Sequence, residues 1–160
     1  MRCPECGHAL RRALRDYHYT ESGLDNVVLE KAPVYVCPDH GVQAVALRNV
    51  QGIHGEIAAA LIKLARPMRG VEIRFLRKHR GWSQAELARR LGVTEVTVSR
   101  WETEAPAIGS ANEQRLCLLF ADPEAFAALQ VTNPQRRKAV AVLRIAVPRL
   151  ARSGSSIIPA

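Results

Sequence analysis

The sequence predicts an α+β fold, in which a small strand-rich N-terminal module is joined by a helix to an all-α domain. Three observations carry that prediction. Residues 1–48 hold short β-branched and aromatic runs set between turn formers. From residue 49 the apolar spacing changes to a helical period of about 3.6. Between 70 and about 130, capping residues and glycine punctuate a series of short helical segments.

The strand-like runs are Tyr17-His18-Tyr19-Thr20, Val27-Val28-Leu29 and Val34-Tyr35-Val36, with Ser22-Gly23 and Asp25-Asn26 as turn formers. Few large apolar residues accompany them, and modules this small usually need a staple. Two short motifs offer one. Cys3-Pro4-Glu5-Cys6-Gly7 and Cys37-Pro38-Asp39-His40-Gly41 share one form, with His40 in place of a fourth cysteine. Two ligands separated by two residues reach one ion from a tight turn, and two such turns complete the tetrahedral shell that zinc takes. The glycine after each pair lets the turn adopt positive φ. Cys3, Cys6, Cys37 and His40 are therefore the expected ligands of a structural Zn2+. His8 or His18 as fourth ligand, or a redox pair at Cys3 and Cys6, are the alternatives. Four filled positions leave none for a catalytic water. Cys117 sits in the apolar run Leu116–Phe120 and is expected in the core.

Ile53, Ile57, Ala60, Leu61 and Leu64 form one apolar stripe that Pro67 ends, which predicts a connecting helix packed on a neighbouring domain or a second subunit. Beyond it, Ser83 precedes Gln84-Ala85-Glu86 in a capping-box pattern, Gly92 stops the helix 84–91, and Thr94 caps a second helix from Glu95. Two helices joined by a short glycine-containing turn make the DNA-binding helix-turn-helix. Ala85, Ala88 and Leu91 are expected to pack inward from the first helix, Val98 and Trp101 from the second, with Val93 plugging the turn.

Thr94, Glu95, Val96, Thr97, Ser99 and Arg100 are then the expected major-groove surface. Arg100 suits a bidentate contact to guanine, Thr97 and Ser99 are short hydrogen-bonding groups, and Val96 can touch a thymine methyl. Gln84 is placed to hold a phosphate. Arg74, Arg77, Lys78, Arg89 and Arg90 would supply salt-dependent phosphate contacts.

The charge distribution points the same way. The chain carries 23 Lys and Arg against 15 Asp and Glu, a formal +8. Residues 1–48 balance at zero with six of each sign, whereas residues 69–102 hold eight basic and four acidic side chains. The last 28 residues hold six basic side chains and no acid. A neutral front and a basic middle and tail place the polyanion-facing surface in the second half. No apolar run of membrane-spanning length occurs, and Met1 leads straight into Arg2-Cys3-Pro4, so a cytoplasmic protein with no secretory leader is expected. No nucleophile, base and open metal position come together, so no enzyme is expected.

The stretch Gly81–Glu102, GWSQAELARRLGVTEVTVSRWE, resembles the helix-turn-helix of the Xre/Cro-repressor superfamily. Residues 1–102 as a whole are similar to the MqsA-type antitoxins, the YgiT-type zinc-finger family. The carrying features are MRCPECG, YTESGLDNVVLE, VCPDHG and VEIRFLRKHRGWSQAELARRLGV. That family's second knuckle usually has two cysteines, where this chain has His40. The resemblance implies a homodimeric repressor that binds palindromic operator DNA, autoregulates its operon, and uses its zinc module to neutralise an mRNA-cleaving toxin. A stand-alone regulator whose module takes another partner is the second reading. The expected divisions are a zinc module at 1–48, the connecting helix at 49–68, the helix-turn-helix domain at 69–131, and a basic tail at 132–160. The tail is expected to be partly disordered, with a helix over about 135–147.

Overall fold

The computed structural model describes residues 1–64, 66–103, 106–121, 143–146 and 156–159. Strands β1 (Arg11–His18), β2 (Val27–Cys37) and β3 (Gly41–Leu47) precede helices α1 (Val50–Ile62), α2 (Gly70–His79), α3 (Gln84–Leu91), α4 (Glu95–Glu102) and α5 (Ser110–Ala121). Two short strands follow, β4 (Leu143–Ala146) and β5 (Ser156–Pro159). The mixed α+β class, strand-rich at the N-terminus and helical behind it, is as the sequence predicts.

The sheet runs in the order β1-β2-β3-β5, with β4 alongside the first half of β2. β1, β2 and β3 form an antiparallel meander, and β4 lies parallel to β2 with Val27 opposite Leu143. Two of the expected strand runs, Val27–Leu29 and Val34–Val36, belong to the single strand β2. The chain passes through Lys31 at φ 51°, where the Lys31 N–H donates to Asp16 Oδ1 at 3.2 Å and the β1–β2 register slips between Arg15 and Tyr17. This bulge accommodates the Lys31-Ala32-Pro33 stretch without ending the strand.

Alternation along β2 turns Val27, Leu29, Ala32 and Val34 inward, where they meet Val45 and Leu47 of β3 and Ile53, Ile57 and Leu61 of α1. The α1 stripe thus packs on the chain's own sheet. The apolar cluster continues without a break through Ile73 and Leu76 of α2 to Leu87, Leu91, Val98, Leu116 and Phe120.

The expected tail helix is corrected at its end: Leu143–Ala146 is a strand, with Leu143 and Ile145 buried against the sheet. Long-range pairing to β2 supplies its partners, which no local pattern announces. The expected disorder of the final residues is corrected too, because Ser156–Pro159 is a strand paired with β3. Residues 135–142 and 147 of the expected helix lie outside the described residues.

Polar clamps lock the sheet to the helices. Arg69, just before α2, holds Asp25 through two hydrogen bonds at 2.5 and 3.0 Å and reaches Asn26 at 3.0 Å. Buried Glu72 accepts from Arg66 at 2.5 and 3.0 Å and from the Arg69 backbone N–H at 2.9 Å, which also caps α2. Gly70 lets the start of α2 meet the end of α4, since a Cβ there would lie 2.5 Å from the Trp101 carbonyl oxygen. Backbone cannot yield as a flexible side chain does. Gly70→Ala is expected to destabilise the fold by about 1–3 kcal/mol, seen as a lower urea midpoint at unchanged slope.

Candidate functional site

The first candidate centre is built by two turns meeting at one edge of the sheet. Gly7 (φ 72°) and Gly41 (φ 73°) close the knuckles in the left-handed region, and the Gly7 N–H donates to the Cys3 carbonyl at 2.9 Å. The second knuckle is the hairpin turn between β2 and β3, so Cys37 is fixed at a strand end with Gly41 opposite it. The first is closed by its own short pairing, Arg2 with Ala9.

These turns bring the ligand atoms of Cys3, Cys6, Cys37 and His40 to within 4.8 Å of one another. Cys6 Sγ and Cys37 Sγ are 3.5 Å apart, and His40 Nδ1 is 3.6 Å from Cys3 Sγ and 3.7 Å from Cys37 Sγ. Tetrahedral zinc with ordinary bond lengths has S–S edges of about 3.8 Å and S–N edges of about 3.6 Å. The donor set and its spacing fit the ion. His40 Nε2 faces Glu5 at 3.3 Å, which fixes the ring so that Nδ1 is the metal-facing nitrogen. His8, the alternative ligand, pairs with Asp39 at 2.6 Å and so links the two knuckles; these two residues also form a second group with Cys6 and Cys37 whose ligand atoms lie within 4.8 Å of one another. His18 hydrogen-bonds the Asp25 carbonyl, remote from the cluster.

The thiols are already unequal. Burial pushes Cys37 up, but the backbone N–H groups of Asp39 and His40, the His40 ring and Cys6 overcome it and bring Cys37 to about 6. At Cys6 the backbone N–H of His8 lowers the thiol, while burial and the Cys37 and Cys3 side chains outweigh it and raise it to about 11. One thiolate thus forms readily at neutral pH. A zinc ion bound by Cys3, Cys6, Cys37 and His40 would crosslink the N-terminus to the β2–β3 hairpin.

The second candidate centre lies on α3 and α4. Ser83 Oγ accepts from the Glu86 N–H at 3.1 Å, Gly92 ends α3 in the left-handed region, and Thr94 Oγ1 accepts from the Thr97 N–H at 3.2 Å. The helix bounds match the expected 84–91 and the start at 95. Glu86 does not complete a capping box; its carboxylate pairs with Arg89 and Arg90. The expected inward face of α3 is rotated. Leu87, Ala88 and Leu91 are buried and Ala85 is exposed, because the larger Leu87 takes the place beside the core. Val98 and Trp101 are buried as expected, and Val93 packs against the core from the turn.

Of the expected groove residues, Glu95, Val96 and Arg100 are exposed on α4, Val96 at 60%, and Thr97 and Ser99 stand at the edge. Thr94 and Thr97 hydroxyls share a 2.8 Å hydrogen bond. Arg89 and Arg90 lie exposed on α3, and Arg90 stacks over Trp82 at 4.4 Å from the ring centre. Arg74 is half-exposed and 3.5 Å from Glu102.

Two expected DNA contacts are placed elsewhere. Arg77 is turned inward, with hydrogen bonds of 2.6 and 2.9 Å to Glu102 and one of 2.8 Å to the Trp82 carbonyl. Its guanidinium is consumed by the fold. Gln84 donates to Glu102 at 2.9 Å, leaving its amide only partly available. Lys78 lines a cavity against α1. Sequence reading overlooked Glu102, which joins α2, the start of α3 and the end of α4. Its only sequence signal is a charge beside Trp101 on an inward face.

Residues 73–112 match the helix-turn-helix family model. That segment runs from α2 into the first turn of α5, and a helix-turn-helix is a DNA-binding, regulatory type of unit. No curated protein matches the chain. Among the described residues no helix is long and apolar enough to cross a membrane.

Proposed function

We propose that this chain is a sequence-specific transcriptional repressor that reads operator DNA with α4 as a homodimer. The observation that carries the reading is α4 itself. It is a capped helix whose inner side is anchored by Val98, Trp101 and Glu102, while Glu95, Val96 and Arg100 face solvent. Thr97 and Ser99 flank that face. A rigid helix with short polar groups, one apolar contact and one arginine suits the major groove. Arg89, Arg90 and Arg74 surround it as phosphate contacts. With two-fold symmetry, two such helices would sit about 34–36 Å apart, one DNA turn.

The zinc-stapled module at 1–48, with the resemblance to MqsA-type antitoxins, supports a second role. In this reading the module binds an mRNA-cleaving toxin and the chain represses its own operon. The division into a module at 1–48, a connecting helix at 49–68, a DNA-binding domain at 69–131 and a basic tail from 132 belongs to the same proposal. A cytoplasmic setting fits reduced cysteines as metal ligands. Toxin capture is tested by affinity purification of the full chain from its native host: a co-purifying ribonuclease supports it, and a different partner favours a stand-alone regulator.

Arg100→Ala is expected to weaken specific operator binding by about 1–3 kcal/mol, the scale of one bidentate base contact. The loss should be smaller on non-specific DNA, as fluorescence anisotropy at fixed salt would show. Equal losses on both would make Arg100 a phosphate contact.

A further inference from the structure

We propose that the cavity between the Thr20–Gly23 turn, α1 and the end of α2 binds a small anion carrying a phosphate or carboxylate group. The cavity measures about 610 Å³, the size range of small-molecule sites. It is lined by Lys78 and Arg80 against a single acid, Glu21, whose carboxylate already accepts the Tyr17 hydroxyl at 2.5 Å. Lys78 has no ion-pair partner among the described residues. Arg80 is held in place by its 2.6 Å hydrogen bond to the Phe120 carbonyl, so its charge is positioned before any ligand arrives. Gln51 adds an amide from the first turn of α1.

The base of the cavity is a fixed series of rings. Tyr19 OH meets His54 Nε2 at 3.0 Å, His54 stands edge-on to Phe75 at 5.5 Å, and Phe75 lies parallel to His79 at 6.2 Å. Burial holds both imidazoles below their ordinary range. Neutral imidazoles donate through one nitrogen without competing for the anion as counter-charge. His79 Nδ1 is sheltered yet has no hydrogen-bond partner among the described residues. Basic and polar residues from three segments line one concavity, as in a small-molecule site.

Calorimetric titration of the full chain at low salt tests this, with inorganic phosphate, citrate and adenosine monophosphate as probes and chloride as the ionic control. Saturable one-site binding of at least one probe is expected. Lys78→Ala and Gln51→Ala should each weaken it, the former at least about tenfold for loss of a charged contact. Both side chains sit at the cavity wall, so circular dichroism of each variant should match the parent. A probe with phosphate but not citrate binding identifies a phosphate site, and the reverse a carboxylate site. Absence of saturable binding by all three, or an affinity unchanged in both variants, overturns the proposal. No DNA is present in the titration, so its failure leaves the operator reading intact.

Discussion

Stripping the metal, or replacing Cys37 by alanine, is expected to release the first ten residues from the sheet. Those residues have little else to hold them. Apart from Cys3 they are exposed or half-buried, and beyond the ligand cluster they are held by the Arg2–Ala9 bridge, a few turn hydrogen bonds and the exposed His8–Asp39 and Glu5–His40 pairs. Structural zinc sites contribute on the order of 10–16 kcal/mol of apparent binding free energy at neutral pH, far more than those bonds can replace. Trypsin should then cut rapidly at Arg11 and Arg12, where β1 begins. One equivalent of zinc by elemental analysis is expected in the parent chain, and a strongly reduced content in Cys37→Ala and His40→Ala. His8→Ala should keep the metal if Cys3 and His40 complete the shell with Cys6 and Cys37, and lose it if His8 and Asp39 do. Metal-independent protection of Arg11 and Arg12 would show that the cluster is not a staple.

Glu102→Ala is expected to cost about 3–5 kcal/mol, the scale of a buried ion pair that loses one partner. Its carboxylate is 1% exposed and Arg77 11% exposed, so the arginine would be left with its charge uncompensated inside the domain. Gln84 would also lose its acceptor. Because Glu102 ends α4, the loss should appear twice, as a lower denaturation midpoint and as weaker DNA binding. Acid should act through the same group. Burial raises the Glu102 carboxyl, but hydrogen bonds from Arg77 and Gln84, with the charges of Arg77 and Arg74, overcome this and hold it below its ordinary 4.5. Its contribution is therefore complete above pH 4.5 and fades as pH falls through the lower folded value. Glu102→Ala should lack that acid-dependent component, as denaturation at stepped pH would reveal.

Local chemistry was legible in the sequence and non-local geometry was not. Ser83, Gly92 and Thr94 act on backbone groups within a few residues, so the helix bounds at 84–91 and 95 could be read directly. The two knuckles share a form, and pairing them across thirty residues needed only the fact that both serve one ion. The rotation of α3 was misread because alanine spacing looks the same on either face until Leu87 finds the core. Arg77 looked like a phosphate contact because a basic residue near a helix-turn-helix usually is one. Its real partner, Glu102, lies 25 residues away. β4 was read as part of a helix because its partner, β2, is more than a hundred residues distant.

The most direct measurement is the affinity of the full chain for the DNA upstream of its own gene against a shuffled duplex of equal length and charge. Salt should be fixed, since phosphate contacts alone respond to it. Binding is expected to be tighter on the native sequence by at least about 10³-fold, the lower bound for specific recognition, with the preference reduced in Arg100→Ala. Equal affinity for both duplexes would contradict sequence-specific binding.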